Sequence, residues 1–380
     1  MFALTADQEL FEKTTARYLE SKYAPDHVRD LAGRPSAFNP EAWQQGAALG
    51  WTSLLVSEAA GGGSISGNGL LDLLTVAYHF GRHAAPGPLF PSNLVAMALA
   101  RWGSDDQQGE PLARLIDGSA TAAWCAPQRI DDPRVRGGDV SAHVSGPEIV
   151  LSGALSPVEG AGDASLLLVS ATEPQGRSYV LVPLSAPGVH LAPLAGLDLT
   201  RRYHEVTLRD VRLPVSARVG QAGAGDTYDE IMFDVLATLR AAEVVGALQR
   251  CFDITLQWTR DRYSFGRPLA SYQEIKHRMA DMRTALEAGA AITLRAARAF
   301  GDSNPDASVW CSAAVAYVGR VALEAIQDCI QMHGGIGLTA EHDLHLFLRR
   351  AVVDTQLGGS PADMTQRVVH LLETAQGAQR

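Results

Sequence analysis

The densest group of chemically capable side chains in this sequence lies at residues 341–345. The segment EHDLH places four polar groups in five residues, and carboxylates and imidazoles are common metal ligands. His342 and His345 are three residues apart, so on a helix they would share one face. Because no third ligand follows at a recognisable spacing, solvated charge on a helix surface is the favoured interpretation.

Other chemical signatures are weak. The glycine run at 61–63 is not followed by the Gly-Lys-Ser/Thr of a phosphate-binding P-loop. The basic segment 276–278 is interpreted as a solvated helix face rather than as a contact for the phosphate groups of a ligand. The four cysteines form no Cys-x-x-Cys pair and no pattern suited to thiol catalysis, so neither a zinc finger nor a disulfide framework is expected.

These signatures lie in a chain of 380 residues, of which 46% are hydrophobic and 19% charged. That composition predicts a globular protein of two or three domains with a large buried core. The formal net charge is -10 and there is no lysine/arginine block, so nucleic acid is not expected as a partner. No apolar run reaches the roughly 18 residues of a membrane span. The N-terminus lacks a secretory pattern, and we therefore expect a cytoplasmic protein.

Hydrophobic periodicity divides the chain into three parts. The first is mostly helical and begins with a capping-box-like start at 5–8. The second has short runs rich in Val, Leu and Thr, typical of a small antiparallel barrel or sandwich. The third has long helical stretches that predict a bundle of antiparallel helices, so the expected fold class is α+β. The predicted domains are 1–118, 119–219 and 220–380, and the long helical stretches are 231–258, 272–300 and 307–332.

Three motifs carry a resemblance to a known family. The segment RYSFGRPL at 262–269, followed by YQ at 272–273 and MADM at 279–282, resembles the "R-x-x-F-G-x-P-[IL]…F-Q…A-D-M" signature of the acyl-CoA dehydrogenases. QMHGGIGLT at 331–339 is similar to that family's "Q-x-x-G-G-x-G-[YL]-T", and HEVTLRDVRLP at 204–214 to its "V-x-F-x-D-V-x-V-P" strand. The resemblance implies an N-terminal helical domain, a central β-barrel or sandwich domain and a C-terminal four-helix bundle.

The resemblance also implies FAD as cofactor. In this family the flavin lies between the β-domain and the bundle, and its ADP end reaches a neighbouring subunit. An arginine fork suits a pyrophosphate, and adjacent glycines let backbone amides approach a dinucleotide closely. The residues that the resemblance assigns to the flavin of a partner chain are Arg262, Phe265, Gln273, Gln331, Gly334 and Gly335.

The sequence departs from the family at the catalytic base. Dehydrogenation needs a carboxylate to take the α-proton of the thioester while the β-hydride passes to the flavin. Many members carry this base in a C-terminal "E-G-T" that follows an "R-D-A" helix, and here Gly358 occupies the glutamate position. Others carry it on the first helix of the bundle, where Leu236 stands. Asp234, about 200° around that helix, and Glu243, about two turns beyond Leu236, are weak candidates for a replacement.

The β-domain departs from the family as well. The "T-E-P-x-x-G-S-D" loop that supports the flavin corresponds to residues 125–133, and the "K-x-[WF]-I-[ST]-N-A" segment that packs on the isoalloxazine corresponds to residues 155–161. Pro157 replaces the aromatic residue, and Glu159 replaces the hydroxyl residue. These losses indicate a chain that cannot hold the ring end of a flavin by itself.

Three functional hypotheses remain. The favoured one is the subunit of a heterotetrameric acyl-CoA dehydrogenase that lacks the catalytic glutamate and completes the FAD site of a related chain. Its substrate would be an acyl-CoA, bulky or steroid-derived, in fatty acid or steroid degradation, and electron-transfer flavoprotein is the expected acceptor. The second is a homomeric flavoenzyme, a homotetramer, with an atypical base or a different oxidation. The third is a non-catalytic scaffold or acyl-thioester-binding homologue.

Overall fold

The computed structural model of the chain describes residues 4–34, 36, 38–127, 139–357 and 359–377. Helices form the first part, a β-sheet the middle and long helices the last part, so the expected α+β architecture is confirmed. The domain boundaries expected near 118 and 219 fall between secondary-structure elements and stay predictions. The N-terminal helices are α1 Ala6–Lys22, α2 Pro25–Ala32, α3 Pro40–Ala48, α4 Gly69–His83, α5 Leu89–Trp102, α6 Asp105–Gln108 and α7 Glu110–Ile116.

Local sequence signals set the ends of several N-terminal helices. Thr5 caps α1 in a capping box with Gln8, as the sequence predicts. Asn39 and Asn68 cap α3 and α4 by accepting hydrogen bonds from backbone amides in the first turn. Helix α4 ends at Ala84, whose φ of 45° is left-handed. The Pro-Gly-Pro segment that follows separates α4 from α5.

The central part is one eight-stranded sheet. Its order is β6-β7-β3-β2-β4-β5-β8, and β1 pairs with β4 beside this path. The pairing is mostly antiparallel, but β1 is parallel to β4, which the expected antiparallel barrel or sandwich did not include. The strands are β1 Ala122–Cys125, β2 Val140–Ser145, β3 Glu148–Glu159, β4 Leu166–Glu173, β5 Gly176–Pro183, β6 Val189–Leu194, β7 Tyr203–Pro214 and β8 Arg218–Val219.

The two faces of the sheet belong to different cores. Alternate residues of a strand point to opposite faces. In β4, Leu167 and Val169 pack in a small core inside the β-domain, whereas Leu168 packs in the large core shared with the helices. Tyr179 on β5 and Trp124 on β1 also belong to the large core. The sheet therefore presents one of its faces to the helical part of the molecule.

The C-terminal part is built around α8. This 37-residue helix, Gly225–Asp261, packs against α4 and against three of the helices that follow it, α9, α10 and α11. A two-stranded hairpin, β9 Tyr263–Ser264 and β10 Arg267–Pro268, connects α8 to α9. The other helices are α9 Gln273–Gly301, α10 Ala307–His333, α11 Leu344–Asp354 and α12 Pro361–Gly377.

One helical segment is long and apolar enough to cross a membrane by length and composition alone. It spans Ala307–Leu338, with a mean hydropathy of 1.4 in its most apolar window. This criterion averages hydropathy over a window of 18 residues, so a segment can meet it without an uninterrupted apolar run. Half of that window is buried inside the fold, where α10 packs against α8, α9 and α12. Its apolar composition therefore has a structural explanation within the bundle.

Two glycines let α4 and α8 cross at close range. A Cβ on Gly246 would overlap the carbonyl oxygen of Tyr78, and a Cβ on Gly81 would overlap that of Glu243. The two helices therefore contact each other backbone to backbone, which only glycine permits. This crossing fixes how the N-terminal helices approach α8.

We predict that Gly246→Ala lowers the free energy of unfolding by about 1–3 kcal/mol, because the added methyl group must push the helices apart. Urea unfolding measures this change. Gly289→Ala is the matched control, since Gly289 is also a buried helical glycine but its Cβ would meet only side-chain atoms at 3.4 and 3.5 Å. That control is expected to be neutral or to stabilise by up to about 1 kcal/mol. Equal effects of the two substitutions would contradict the close crossing.

Candidate functional site

A cavity of about 110 Å³ lies where the sheet, α5 and α8 meet. Its apolar walls come from α5, β1, α8 and the segment after α11. Its polar groups come from the end of β3, the start of β7 and the middle of α8. The lining residues are Phe90, Pro91, Leu94, Trp124, Ala126, Pro127, Ser156, Pro157, Glu159, Tyr203, Phe233, Leu236, Arg240 and Leu357.

Of the two positions at which the family carries its catalytic base, one lines this cavity and the other directly follows a lining residue in the sequence. Leu236 is 7% exposed and lines it. Gly358 lies outside the described residues, and its neighbour Leu357 lines the cavity. Among the described lining residues, Glu159 is the only carboxylate. A thioester in this cavity would therefore meet the apolar side chain of Leu236 at one of the positions where the family's bases stand.

Asp234 faces away from the cavity. Its carboxylate accepts hydrogen bonds from Arg367 of α12 at 2.6 Å and from Ser308 of α10 at 2.5 Å. The side chain is buried at this junction of helices. The ion pair, together with that of Glu230, raises the pKa of Arg367 despite its burial. Asp234 thus holds α12 against α8 and α10, as its position on the helix relative to Leu236 would suggest.

Glu243 is completely buried in an ion network. Its carboxylate pairs with the guanidinium of Arg350 at 2.7 Å and with that of Arg201. Burial alone would raise the pKa of Glu243, but the two guanidinium groups outweigh burial and hold it below its ordinary value. A carboxylate held by two arginines away from solvent cannot readily accept a proton. The network consists of Glu159, Asp198, Arg201, Arg240, Glu243, Arg350 and Asp354.

The ion network ties three parts of the fold together. Arg350 on α11 donates to Asp198, in the loop before β7, at 2.6 Å, and to the carbonyl oxygen of Ala85, after α4, at 3.0 Å. Arg201 in that same loop donates to Asp354 at the end of α11 at 2.5 Å. One buried cluster therefore connects the N-terminal helices, the β-domain and the C-terminal helices.

Asp354 is the carboxylic acid of the network whose pKa is raised. Burial, together with the neighbouring charge of Glu243, raises its pKa well above the ordinary value despite the opposing effect of Arg201. With Asp354 neutral, the three arginines balance the carboxylates of Glu159, Asp198 and Glu243. The balance explains how so many ionisable groups are tolerated in the interior.

Glu159 joins the ion network to the cavity. It is the last residue of β3 and its side chain is 13% exposed. Its carboxylate lies 3.3 Å from Nε of Arg201 and 3.6 Å from a guanidinium nitrogen of Arg240. Pro157, two residues earlier, follows a cis peptide bond and also lines the cavity. A carboxylate and a proline thus stand where the family's pattern has a hydroxyl and an aromatic ring. The part of the site that would hold the isoalloxazine ring of a flavin therefore does not fit that ring.

Sequence reasoning missed most of this network. It considered Glu159 and Glu243 singly but did not identify Arg201, Asp198 or Asp354 as members of one network with them. The one readable signal is Arg350, which stands where the "R-D-A" pattern has an aspartate. An arginine in place of that carboxylate indicates that the surrounding charges have been rearranged.

The six residues assigned to a partner's flavin lie on the outer surface of the bundle. Arg262, Phe265 and Gln273 belong to the hairpin region between α8 and α9, and the others to the end of α10 and the turn after it. Trp258 joins the two regions, because its Nε1 donates to the carbonyl oxygen of Met332 at 3.1 Å and its ring stacks on His333. We call this face, formed by residues 262–273 and 331–335, the hairpin surface.

The hairpin surface presents groups that could contact another molecule. In the described part of the chain, the Arg262 guanidinium forms no ion pair and only lies over the ring of Trp258. Phe265 is 97% exposed and has a φ of 50°, an uncommon backbone conformation for a bulky residue. A Cβ on Gly334 or Gly335 would meet nothing within 4 Å, so their backbone is accessible. These features fit the charged and planar parts of an ADP group.

The acidic and histidine-rich segment at 341–345 is used within the fold. Asp343 forms an ion pair with Arg29 of α2, and Nδ1 of His342 accepts a hydrogen bond from the backbone of Leu344 at 3.3 Å. In the part of the chain that the structure describes, no group of three or more His, Cys, Asp or Glu side chains has an arrangement that could hold a metal ion.

We predict that Glu243→Gln lowers the free energy of unfolding by about 3–5 kcal/mol at neutral pH, because two buried arginines lose a charged partner. The pKa of Glu243 is lowered in the folded state, so this cost is present above its unfolded pKa of about 4.3. It should shrink as the pH falls through the folded-state value. The exposed Glu287→Gln, which breaks only the surface pair with Arg283, should cost no more than about 1 kcal/mol.

Asp354→Asn should be much milder, since the amide mimics the protonated acid. The raised pKa of Asp354 means that protonation stabilises the fold below its unfolded pKa of about 3.9, and that this contribution is lost as the pH rises through the folded-state pKa. The asparagine has no proton to lose, so the variant should gain stability relative to the parent as the pH rises. Urea unfolding across the acid-to-neutral range measures both variants. Equal, pH-independent costs for the Glu243 and Asp354 variants would contradict the protonation states.

Comparisons with known proteins agree with this architecture. The family model described as "Acyl-CoA dehydrogenase, N-terminal domain" matches residues 5–119, and that described as "Acyl-CoA dehydrogenase, C-terminal domain" matches residues 223–370. Together they cover more than two thirds of the chain. Acyl-CoA dehydrogenase IpdE2 of Mycolicibacterium smegmatis is 29% identical over 371 residues, which are 96% of this chain and 98% of that protein.

Solved structures show the same fold. The steroid ACAD variant Tcur3481-Tcur3483 is 26% identical, with a TM-score of 0.85 over 98% of this chain and 99% of the other. A chain of the ChsE4-ChsE5 complex from Mycobacterium tuberculosis is 23% identical, with a TM-score of 0.86 over 98% and 99% of the two chains. The motifs, the fold and both family models therefore agree that this chain belongs to the acyl-CoA dehydrogenase family, oxidoreductases that act on the CH-CH group of acyl-CoA thioesters.

Proposed function

We propose that this chain is the subunit of a two-chain acyl-CoA dehydrogenase that completes the ADP end of a partner chain's FAD and lacks its own catalytic glutamate. The assembly is a heterotetramer that dehydrogenates an acyl-CoA at the α and β carbons. FAD, when bound, supplies the hydride acceptor for that chemistry. The proposal is carried by one contrast: the candidate bases Asp234 and Glu243 are ion-paired, whereas the Arg262 guanidinium on the hairpin surface forms no ion pair in the described chain.

The interior supports a chain without its own base. At the cavity, Leu236 offers no group that could accept an α-proton. Asp234 and Glu243, the two candidate replacements, are both held by arginines, Asp234 on another face of α8 and Glu243 about two turns beyond Leu236. Moving either carboxylate into the cavity would take one carboxylate partner from a largely buried guanidinium group, which is costly.

The hairpin surface supports a role toward another chain. Arg262, the exposed Phe265 ring and the backbone at Gly334 and Gly335 could hold the pyrophosphate and adenosine of an ADP group. Gln273 and Gln331 are also exposed there, where their amides could hydrogen-bond to the same group. These residues lie outside the cavity, on the outer face of the bundle, as expected for a contact with a flavin whose ring lies in the neighbouring subunit.

The names of the relatives support the substrate class. The 29% identical relative is named an acyl-CoA dehydrogenase, and the 26% identical structure a steroid ACAD. We infer for this chain a bulky acyl-CoA, in steroid or fatty acid degradation, with electron-transfer flavoprotein as the electron acceptor. A heteromer in which only half of the flavin sites are complete leaves a wider groove for such a substrate. We infer a cytoplasmic location for the assembly.

The direct test is co-expression with a homologue from the same genome that carries a glutamate at either base position. The purified assembly should contain about one FAD per two chains, one site for each pair of unlike subunits. Arg262→Ala in this chain should weaken FAD binding about 10–100-fold, the loss of a charge-assisted phosphate contact. Arg267→Ala is the matched control, because Arg267 lies in the same hairpin but stacks on Tyr272 at 3.9 Å.

The alternatives make different predictions for the same preparation. An assembly of this chain alone that turns over an acyl-CoA would support a homomeric enzyme and would contradict the proposal. Stable complexes that take up no FAD with any partner would support a scaffold. Replacing the glutamate of the homologue by glutamine should abolish dehydrogenation while FAD stays bound.

A further inference from the structure

A groove of about 280 Å³ lies where three separate parts of the chain meet. Its walls come from the segments 54–57 and 64–70, which lead into α4, from the last two turns of α5, and from the end of α9 with the turn that follows it. None of its lining residues belongs to the cavity beside α8 or to the hairpin surface. We call it the Arg101 groove, after the one charged residue among its described lining residues.

The Arg101 groove contains several hydrogen-bond donors. Arg101 lines it from the last turn of α5. Ser57 and Ser64 line it from the loop before α4, and Ser303 from the turn after α9. These three hydroxyls form no hydrogen bond with a residue that the structure describes. Because a guanidinium donates only and a hydroxyl can donate, the groove offers donors from three separate segments to one ligand.

The guanidinium of Arg101 has no anionic partner in the described chain. It lies over the ring of Phe300, 5.8 Å from the ring centre, and forms no ion pair with a described carboxylate. Partial burial lowers the pKa of Arg101, and no neighbouring carboxylate opposes this effect. The described arginines whose pKa is instead raised, with a carboxylate among the causes, are Arg82, Arg201, Arg278, Arg350 and Arg367. A partly desolvated cation without a counter-ion is unfavourable, so an anion would complete the groove.

The turn that carries Ser303 has a backbone conformation that favours glycine. Ser303 follows the end of α9 and has a φ of 51°, in the left-handed region. Glycine is the usual residue at such a helix end because it has no Cβ. A serine here is less favourable for the backbone but supplies a hydroxyl to the groove. That exchange is beneficial when the hydroxyl binds something.

The walls of the Arg101 groove are held in place by contacts within the chain. Nδ2 of Asn68 donates to the carbonyl oxygen of Ala297 on α9 at 3.1 Å. A Cβ on Gly301 would overlap the Asn68 side chain, so the end of α9 contacts the loop before α4 closely. Asn68 also caps α4. A site whose walls are already fixed loses little conformational freedom when a ligand binds.

The arrangement of donors suits a phosphate group better than a carboxylate. A carboxylate is planar, and the fork of a single guanidinium can satisfy both of its oxygens. A phosphate carries its oxygens at the corners of a tetrahedron, so after pairing with Arg101 it still has oxygens for the serine hydroxyls of the other two walls. The buried lining residues Leu54, Leu70 and Met97 are apolar and could contact the carbon part of a phosphate ester.

We propose that the Arg101 groove is a binding site for the phosphate group of a small phosphorylated molecule or for inorganic phosphate. Arg101 pairs with the phosphate, and Ser57, Ser64 and Ser303 donate hydrogen bonds to its remaining oxygens. Because the groove joins the N-terminal helices to the end of α9, a bound phosphate connects these two parts of the fold. The ligand therefore stabilises the folded protein as its concentration rises above the dissociation constant.

Phosphorus NMR titrations on the purified full-length protein in its native assembly test the proposal. They are done at an ionic strength of about 0.15 M, where attraction between distant exposed charges is screened. The probes are inorganic phosphate and phenyl phosphate, and acetate is the carboxylate competitor. Acetate should bind about 10-fold more weakly than phosphate, because it uses fewer of the donors. Tighter binding of phenyl phosphate would identify a phosphate ester as the ligand and equal binding inorganic phosphate, and either result supports the site.

Variants of the donors test the assignment. Arg101→Gln should weaken phosphate binding about 10–100-fold, the loss of a charge-assisted contact. Its thermal midpoint without phosphate should stay unchanged, because Arg101 has no ion pair to lose. Ser303→Gly should weaken binding about 3–10-fold while leaving the fold equally or more stable, which a structural role of the hydroxyl would not produce. The matched control Arg298→Gln removes the same charge from the last turn of α9, outside the groove, and should leave binding unchanged.

Several results would overturn the proposal. Binding of neither phosphate, or equal binding of acetate, would contradict a phosphate site. Equal weakening by Arg101→Gln and Arg298→Gln would indicate general attraction by surface charge. Loss of phosphate binding in Arg262→Ala but not in Arg101→Gln would place the phosphate on the hairpin surface. The FAD content of the two-chain assembly should be unaffected by Arg101→Gln, so this site and the proposed function can fail independently.

Discussion

The pairing of buried arginines determines how the interior of this protein is organised. Arg350 is fully buried and Arg201 nearly so, and each must meet carboxylates that come from distant parts of the chain. Glu243 lies on the helix that borders the cavity, and its carboxylate is held in ion pairs with both of these arginines. The same requirement joins α11, α8 and the loop before β7, so the stability of the three-part fold and the lack of a free base have one physical cause.

The consequence is a molecule whose buried candidate bases are ion-paired, while Arg262 on its surface forms no ion pair in the described chain. Inside, buried arginines are paired with carboxylates, and the base position on α8 meets the cavity as the apolar side chain of Leu236. Outside, Arg262 and the exposed Phe265 have no partner in the described chain that would explain their type or conformation. Such an arrangement is understandable if the exterior serves a second chain, because an interface residue is paired only in the assembly.

The main helices could be predicted from the sequence, but the ion network could not. The capping box at Thr5 and the long stretches of α8, α9 and α10 could be predicted because local periodicity determines them. Strands β2, β6 and β8 were not predicted, since β2 ends in three exposed residues, β6 has no buried residue and contains a proline, and β8 has only two residues. The departures at Gly358 and Leu236 were readable from motif spacing alone. The ion network was not, because Arg201 and Asp354 are 153 residues apart and only the tertiary fold brings them together.

The central claim is that this chain does not hold a complete flavin site of its own. The most direct measurement is the FAD-to-polypeptide ratio of the protein expressed alone, from its visible absorbance and protein concentration, with the mass of the assembly recorded. The account predicts little or no FAD, because Glu159 and Pro157 occupy the ring end of the site. A stable assembly with about one FAD per chain would contradict it and would return attention to Asp234 and Glu243 as bases.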